Sequence, residues 1–304
     1  MKLINQNFEI LEQKDFSLKG IKQFIERCGR VCYKSEDKIT EGSAKPFVDR
    51  MIKSGHGAML EHGTVYLAMP METILPIEAN GWGKYTKNPY SKGFKVCEVD
   101  GQKRVAVTTN LRVLVENGWL DDLQYICEPT EFHERRITVH FVCDRGVSHE
   151  FVRHRVMSFA QESTRYCNYS KDKFGNELTF IKPCWLDIPT GQYVYWDGDW
   201  CDINKMKIQL PEGEHKDIDA FLWTLNNAET HYTLLINSGW KPQEARAVLP
   251  NSLKTELVVT GFTSDWNHFF DLRARGTTGA PHPQAKELAE PLMKEFITRN
   301  YIDN

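Results

Sequence analysis

Apolar positions recur at helical spacing early in the chain, where Leu18, Ile21, Phe24, Ile25 and Cys28 share one stripe behind Ser17, a residue suited to cap it. A second helix is predicted from near Pro46, carrying Phe47 and Met51 and stopped by Gly55 in "SGHG". The period then changes. "TVYLAM" (64–69), "RVAVTT" (104–109) and "RITVHFVC" (136–143) read as strands, the last with Ile137, Val139, Phe141 and Cys143 on one face and Thr138 and His140 on the other. These three are expected to share one antiparallel sheet. Residues 80–103, rich in Gly, Lys and Asn, read as a loop, and Asn110 caps a helix carrying Val113 and Leu114.

Beyond the third strand, Ser148 is the expected cap of a helix on which Val147, Phe151, Val152 and Val156 face the core. Residues 167–214 are weakly patterned and mix aromatic residues with turn formers, as a lid or an insertion would. Trp196 and Trp200 read there as packed aromatics rather than a lid over a ligand. From His215 the helical period returns through Ile218, Leu222, Leu225 and Tyr232 to a stop at Gly239. Pro242 suits a first helical turn, and Pro250 limits continuation of that helix. A long amphipathic helical segment is expected over Leu253–Leu272, then a last helix from near His282 with Leu288, Leu292, Phe296 and Ile297, kinked or restarted at Pro291. The fold class is α+β, a central antiparallel sheet with flanking helices, in one domain over 1–304 with insertions at about 80–130 and 170–214.

Composition narrows the function. The chain of 304 residues is 41% hydrophobic and carries a net charge of −3, enough apolar material for a sizeable core and too little positive charge to coat nucleic acid. No apolar run reaches membrane-span length, and the N-terminus lacks the apolar core of a signal peptide, so a cytoplasmic protein with reduced thiols is expected. The eight cysteines form no C-x-x-C pair, and His149 and His154 are poorly spaced for a shared ion, so no metal site is expected.

The densest chemistry lies in "RHRVMSFAQESTRY" (153–166). Arg153, His154 and Arg155 on a helix would be ~100° apart and would face different ligands, or parts of a ligand. Ser158, Gln161, Ser163, Thr164 and Arg165 supply hydroxyls and a guanidinium suited to phosphate. Arg246 in "EARAVLP" and Arg273 in "FFDLRAR" sit among apolar residues, where an arginine pairs with a buried carboxylate or binds an anion. Together these arginines suggest a nucleotide site.

The spacing of "RHR", a serine, a second serine and an arginine resembles the signature of the flavin-dependent thymidylate synthases. "GRVCYKS" (29–35), "SGHGAMLEH" (54–62), "EARAVLPNSLKTELVVTGFTSDWNHFFDLR" (244–273) and "HPQAKELA" (282–289) are similar to further segments of that family. The resemblance implies methylation of dUMP to dTMP, with 5,10-methylenetetrahydrofolate as carbon donor and NADPH-reduced FAD as hydride source, and no cysteine nucleophile. It assigns His56, Arg153, His154, Arg155, Gln161, Ser264 and His268 to FAD. Glu150, Arg153, Gln161, Glu162, Ser163, Thr164, Arg165, Arg246 and Arg273 fall to dUMP, with Arg273 against the uracil ring as the catalytic residue. It also implies a homotetramer whose active sites combine subunits. The chain departs from the family pattern at Ala160-Gln161, where Asn-Glu is common, and at Glu150, Ala58, Phe262 and Ser264. Those departures keep C5 methylation or hydroxymethylation of another pyrimidine nucleotide, or a binding module without turnover, as alternatives.

Overall fold

A computed structural model describes residues 1–71, 83–99, 101–171, 174–211 and 215–303. The chain opens with β1 (Lys2–Ile4), β2 (Asn7–Leu11), α1 (Leu18–Tyr33) and α2 (Ala44–Lys53). It continues through β3 (Thr64–Pro70), a single turn α3 (Gly83–Thr86), β4 (Lys92–Val99), β5 (Gln102–Asn110) and α4 (Leu111–Asn117). Then come β6 (Arg136–Asp144), α5 (Arg145–Phe151), β7 (Ser158–Gln161), β8 (Thr179–Ile181), β9 (Gly191–Gln192), β10 (Val194–Trp196) and β11 (Asp199–Cys201). The last third holds α6 (Lys216–Asn237), α7 (Pro242–Ala245), β12 (Lys254–Phe262), α8 (Thr263–Phe270) and α9 (Pro283–Thr298). Helices and largely antiparallel sheets make the α+β class expected from the pattern. No helix among the described residues is long and apolar enough to cross a membrane.

The sheet that positions the chemistry runs β2-β6-β12-β7, antiparallel throughout. One face buries Ile137, Val139, Phe141 and Cys143 of β6 with Leu257 and Val259 of β12 against α5, α8 and α9. The other face carries Ala160 and Val258 against Phe24 and Cys28 of α1. The alternation read in β6 therefore holds. Thr138 lies opposite Thr260 on the α1 side, their hydroxyls 2.7 Å apart. Ser17 caps α1, accepting from Gly20 N at 3.2 Å, and Asn110 caps α4 in the same way.

Several expectations are corrected. The strands at 64–70 and 102–110 do not join β6: they form a separate sheet, β3-β5-β4, covered by α1, α2 and α4. Much of 80–103 is the outer strand β4, although 80–82 and 100 lie outside the described residues. A register shift between Gly93 and Lys95 breaks its alternation, which is why the stretch resembled a loop. The segment from Leu253 is not one helix, because β12 precedes α8. As a central strand, β12 is buried on both faces, so its apolar run lacks the period of two that marks a half-exposed strand. Asp144, not Ser148, caps α5, and Val152 is exposed. Helix α9 continues through Pro291. The exposed proline removes one backbone bond while Leu288, Ala289, Leu292 and Phe296 stay buried, and their packing outweighs the loss.

Residues 167–211, apart from 172 and 173, pack with β1 and α6 rather than standing free. Leu3, Tyr169, Phe180, Tyr193, Leu222 and Tyr232 share one core. Trp200 is buried there between Tyr195 and Trp223, whereas Trp196 is exposed beneath the Lys205 ammonium.

Trp266 anchors the main core. It packs on Phe141, Phe269 and Phe296 and donates Nε1–H to Ile137 O at 3.0 Å. Trp266→Ala should lower unfolding free energy by about 3–5 kcal/mol in urea titrations, whereas Trp196→Ala should cost less than about 1 kcal/mol. Equal losses would contradict this assignment of the core.

Candidate active site

The site begins where β6 ends. Asp144 accepts from Val147 N at 2.6 Å and so starts α5 at the strand end, which places Glu150 on its last turn. Phe151 then buries against Phe141 and Phe269 and locks the helix to α8. With α5 finished at Phe151, "RHR" lies on an irregular turn: His154 is buried while Arg153 and Arg155 are exposed. The three side chains diverge, as expected, but through the turn rather than helical rotation. Val156 closes it at φ 74°, a left-handed conformation costly for a β-branched residue and held here by the flanking elements.

Arg273 reaches this turn from the other side. After α8 the backbone widens into one π-helical turn, Asp271–Arg275, ended by Gly276 at φ 71°. Arg273 donates Nη1–H to Glu150 Oε2 at 2.5 Å, Nη2–H to Glu150 O at 2.9 Å and Nε–H to His154 Nε2 at 3.2 Å. A guanidinium has no acceptor, so His154 Nε2 must be unprotonated and the ring proton must sit on Nδ1. Nδ1 itself is buried and has no hydrogen-bond partner among the described residues. Burial, with the charges of Arg273 and His268 adding to it, pushes His154 down to about 4. Burial also lowers Arg273, with Glu150 opposing and Arg153 reinforcing the shift. His268, exposed, stands with its ring 5.9 Å from that of His154. Glu150, His154, Arg273 and His268 thus form one group.

The remaining predicted residues divide. Gln161 donates to Ser148 Oγ at 2.8 Å and Thr255 Oγ1 at 3.3 Å, beside the Arg273 group through α5. Thr164 accepts from Arg246 Nη1 at 3.0 Å, a second centre of charge. Ser163 holds the turn by accepting from Arg165 N, and Arg165 extends into solvent over Tyr166. Glu162 turns inward, accepting from Lys254 Nζ at 2.8 Å and Tyr169 OH at 2.9 Å. Lys254 also meets Glu256 at 2.6 Å. Burial works against the charge on Glu256, yet His140, Lys254 and Lys34 hold its carboxyl well below the usual range.

His56 is exposed where the turn Gly57–His62 begins, and no hydrogen bond or ring contact among the described residues joins it to Arg273. Ser264 is committed elsewhere: its hydroxyl donates to Glu134 at 2.5 Å and accepts from Lys92 at 2.6 Å. The sequence reading missed Lys254 and Tyr169, which fix Glu162. The described residues include no cluster of three or more His, Cys, Asp or Glu able to hold a metal.

The family model for "Thymidylate synthase complementing protein" matches residues 102–299. The chain is 30% identical over 163 residues to a flavin-dependent thymidylate synthase of Pyrococcus furiosus, covering 53% of each. It is 26% identical over 129 residues to one of Geobacter sulfurreducens, covering 42% of this chain and 43% of the relative. The chain spans about half the length of the curated relatives it matches. Among solved structures it is similar, at TM-score 0.44 and 16% identity, to a UMP/dUMP methylase, PolB, from Streptomyces cacaoi bound with 5-Br dUMP, covering 98% of this chain and 93% of that one.

His154 supplies a direct check on the geometry. Its folded-state value lies below the ordinary 6.5. The unfolded chain therefore binds a proton that the fold does not, and the stability this group contributes above pH 6.5 is lost as pH falls through about 4. Ring-proton NMR should place the His154 midpoint near 4 and move it upward in Arg273→Met. An ordinary midpoint unmoved by that substitution would refute the contact.

Proposed function

The chain belongs to the family of thymidylate synthase complementing proteins, and on that premise we propose that it is a flavin-dependent thymidylate synthase. Its reaction is the reductive methylation of dUMP to dTMP, with methylenetetrahydrofolate as carbon donor. The observation that carries the reading is a guanidinium in the middle of a π-helical turn, fixed by Glu150 and a neutral His154.

Arg273 is the catalytic residue of this proposal. Its donors are pre-oriented, so they can face N3 and O2 of uracil without reorganising and stabilise negative charge in the ring. That charge makes C5 the nucleophile and removes the need for a cysteine to attack the ring. The thiols are consistent with this: burial pushes Cys32 up to about 12 and Cys127 up to about 11, away from thiolate. Glu150 holds Arg273 and would share the pyrimidine edge. Gln161, Ser163 and Thr164, with Arg165 and Arg246, would bind sugar and phosphate. Glu162 acts through Lys254 and Tyr169 to hold that loop.

A flavin fits the residues beside this group. His154 keeps a buried, unpartnered Nδ1–H, and Arg153 and Arg155 are exposed with no carboxylate at ion-pair distance among the described residues. Arg153, His154, Arg155, Gln161 and His268, together with His56, would hold it; Ser264 has the least free capacity because Glu134 and Lys92 engage it. Bound FAD, reduced by NADPH, supplies the hydride that the methylation consumes. By resemblance to the family, the chain would assemble as a homotetramer in which another copy completes each site.

Purified protein should carry flavin absorbance, or gain it on adding FAD. Its reduced flavin should be oxidised by methylenetetrahydrofolate only with dUMP, not with UMP or dCMP. Arg273→Ala should lose at least about 10²–10³ of turnover while retaining flavin. A colourless protein that ignores FAD, or near-normal turnover in Arg273→Ala, would refute the reading.

A further inference from the structure

A cavity of about 450 Å³ lies at the β2 edge of the main sheet, the edge opposite the one that carries Gln161. Its wall is largely aromatic, with Phe16, Phe24, Tyr66 and Tyr301 lining it. That wall is fixed. Gln13 clamps the chain after β2 to β3, donating Nε2–H to Thr64 O at 2.9 Å and accepting from Thr64 N at 3.0 Å. Phe16 packs edge-on against Tyr66, with ring centroids 5.2 Å apart.

The charges around the cavity are unbalanced. Arg136 lines it, is buried, and donates only to neutral acceptors: Glu61 O at 2.9 Å, Thr64 Oγ1 at 3.3 Å and Ser158 Oγ at 3.2 Å. Its Nε has no hydrogen-bond partner among the described residues. Burial pushes Arg136 down to about 10, and the carboxylates that oppose the shift, Glu61 and Asp265, are held by Arg112 and Lys92. Lys14 and Arg135, both exposed, also line the cavity, and neither has a carboxylate at ion-pair distance among the described residues. The one acid on the wall among the described residues, Glu12, is taken by Arg299 at 2.8 Å. The buried Tyr66 hydroxyl accepts from Arg136 N at 3.3 Å, and its own proton has no acceptor among the described residues. Burial raises Tyr66 above its ordinary value, so that proton stays in place.

A cation without a counter-ion in apolar surroundings is costly, and an anion in the cavity offsets that cost. The donors select its kind. One buried hydroxyl and two exposed cations suit a single carboxylate, whereas a phosphate dianion calls for convergent forks. The aromatic wall favours a flat apolar body. We propose that this cavity binds a small carboxylate borne on a planar ring, the carboxylate facing Tyr66, Arg135 and Lys14. The site is separate from the Arg273 group and does not depend on the reaction proposed above.

The test is calorimetric titration of the full chain with benzoate, benzamide and inorganic phosphate. Benzoate should bind saturably, with benzamide and phosphate each at least about tenfold weaker. Tyr66→Phe, and separately the double variant Lys14→Met with Arg135→Met, should each weaken benzoate about 5- to 10-fold, with melting curves confirming that they fold. Arg273→Met should leave benzoate unchanged. Wild-type protein that does not bind benzoate, or that binds benzamide or phosphate equally well, overturns the proposal. So does a folded Tyr66→Phe within about twofold of wild type. Should Tyr66→Phe not fold, unchanged affinity in the double variant, whose two side chains are exposed, overturns it instead. Benzoate binding lost in Arg273→Met assigns the anion to that group and overturns it as well.

Discussion

The centre of this molecule is organised around the guanidinium of Arg273, each of whose three nitrogens has an acceptor within the fold. Glu150 takes two of Arg273's donors, through its side chain and its carbonyl, and His154 takes a third. Each bond constrains another element. The carbonyl contact fixes the end of α5 to the turn after α8. The imidazole contact requires a neutral ring in one tautomer, which burial and the neighbouring positive charges enforce. The aromatic packing of Phe141, Phe151 and Phe269 makes that junction rigid, so the cation is held in place before any ligand arrives.

The same sheet carries the side proposed to bind the anion. Strand β12 pairs with β6 and β7 together, which brings the Gln161–Arg165 segment alongside α5. Beneath it, Lys34, Lys254 and His140, half-buried, form an ionic network with the buried Glu162 and Glu256. Removing charges from water is costly and the pairing offsets that cost without large net gain. The network's effect is therefore positional: Glu162 is drawn inward, Thr164 stays buried beside Arg246, and Arg165 reaches the surface. Arg246, beside Thr164, has no such carboxylate partner among the described residues.

The sequence made some of this legible and hid the rest for identifiable reasons. Alternation in β6 was readable because one face is apolar and the other polar. Strand β12, buried on both faces, has no such alternation and resembled a helix. Strand β4 was obscured by its bulge at Gly93. The motif 153–166 stood out by charge, and Arg246 and Arg273 by their apolar surroundings. What no spacing revealed was pairing across long separations: Arg273 with Glu150, or Glu162 with Lys254. The strands 64–70 and 102–110 looked like companions of β6, because strand identity can be read locally whereas the choice of partner cannot.

The central claim is that Arg273 favours the ionised N3 of the pyrimidine. The most direct measurement is the ultraviolet difference spectrum of bound dUMP as a function of pH, in wild-type protein and in Arg273→Met. The account predicts that N3 loses its proton at clearly lower pH in the wild-type complex than in the variant. Identical titrations in two complexes that both bind dUMP would contradict it.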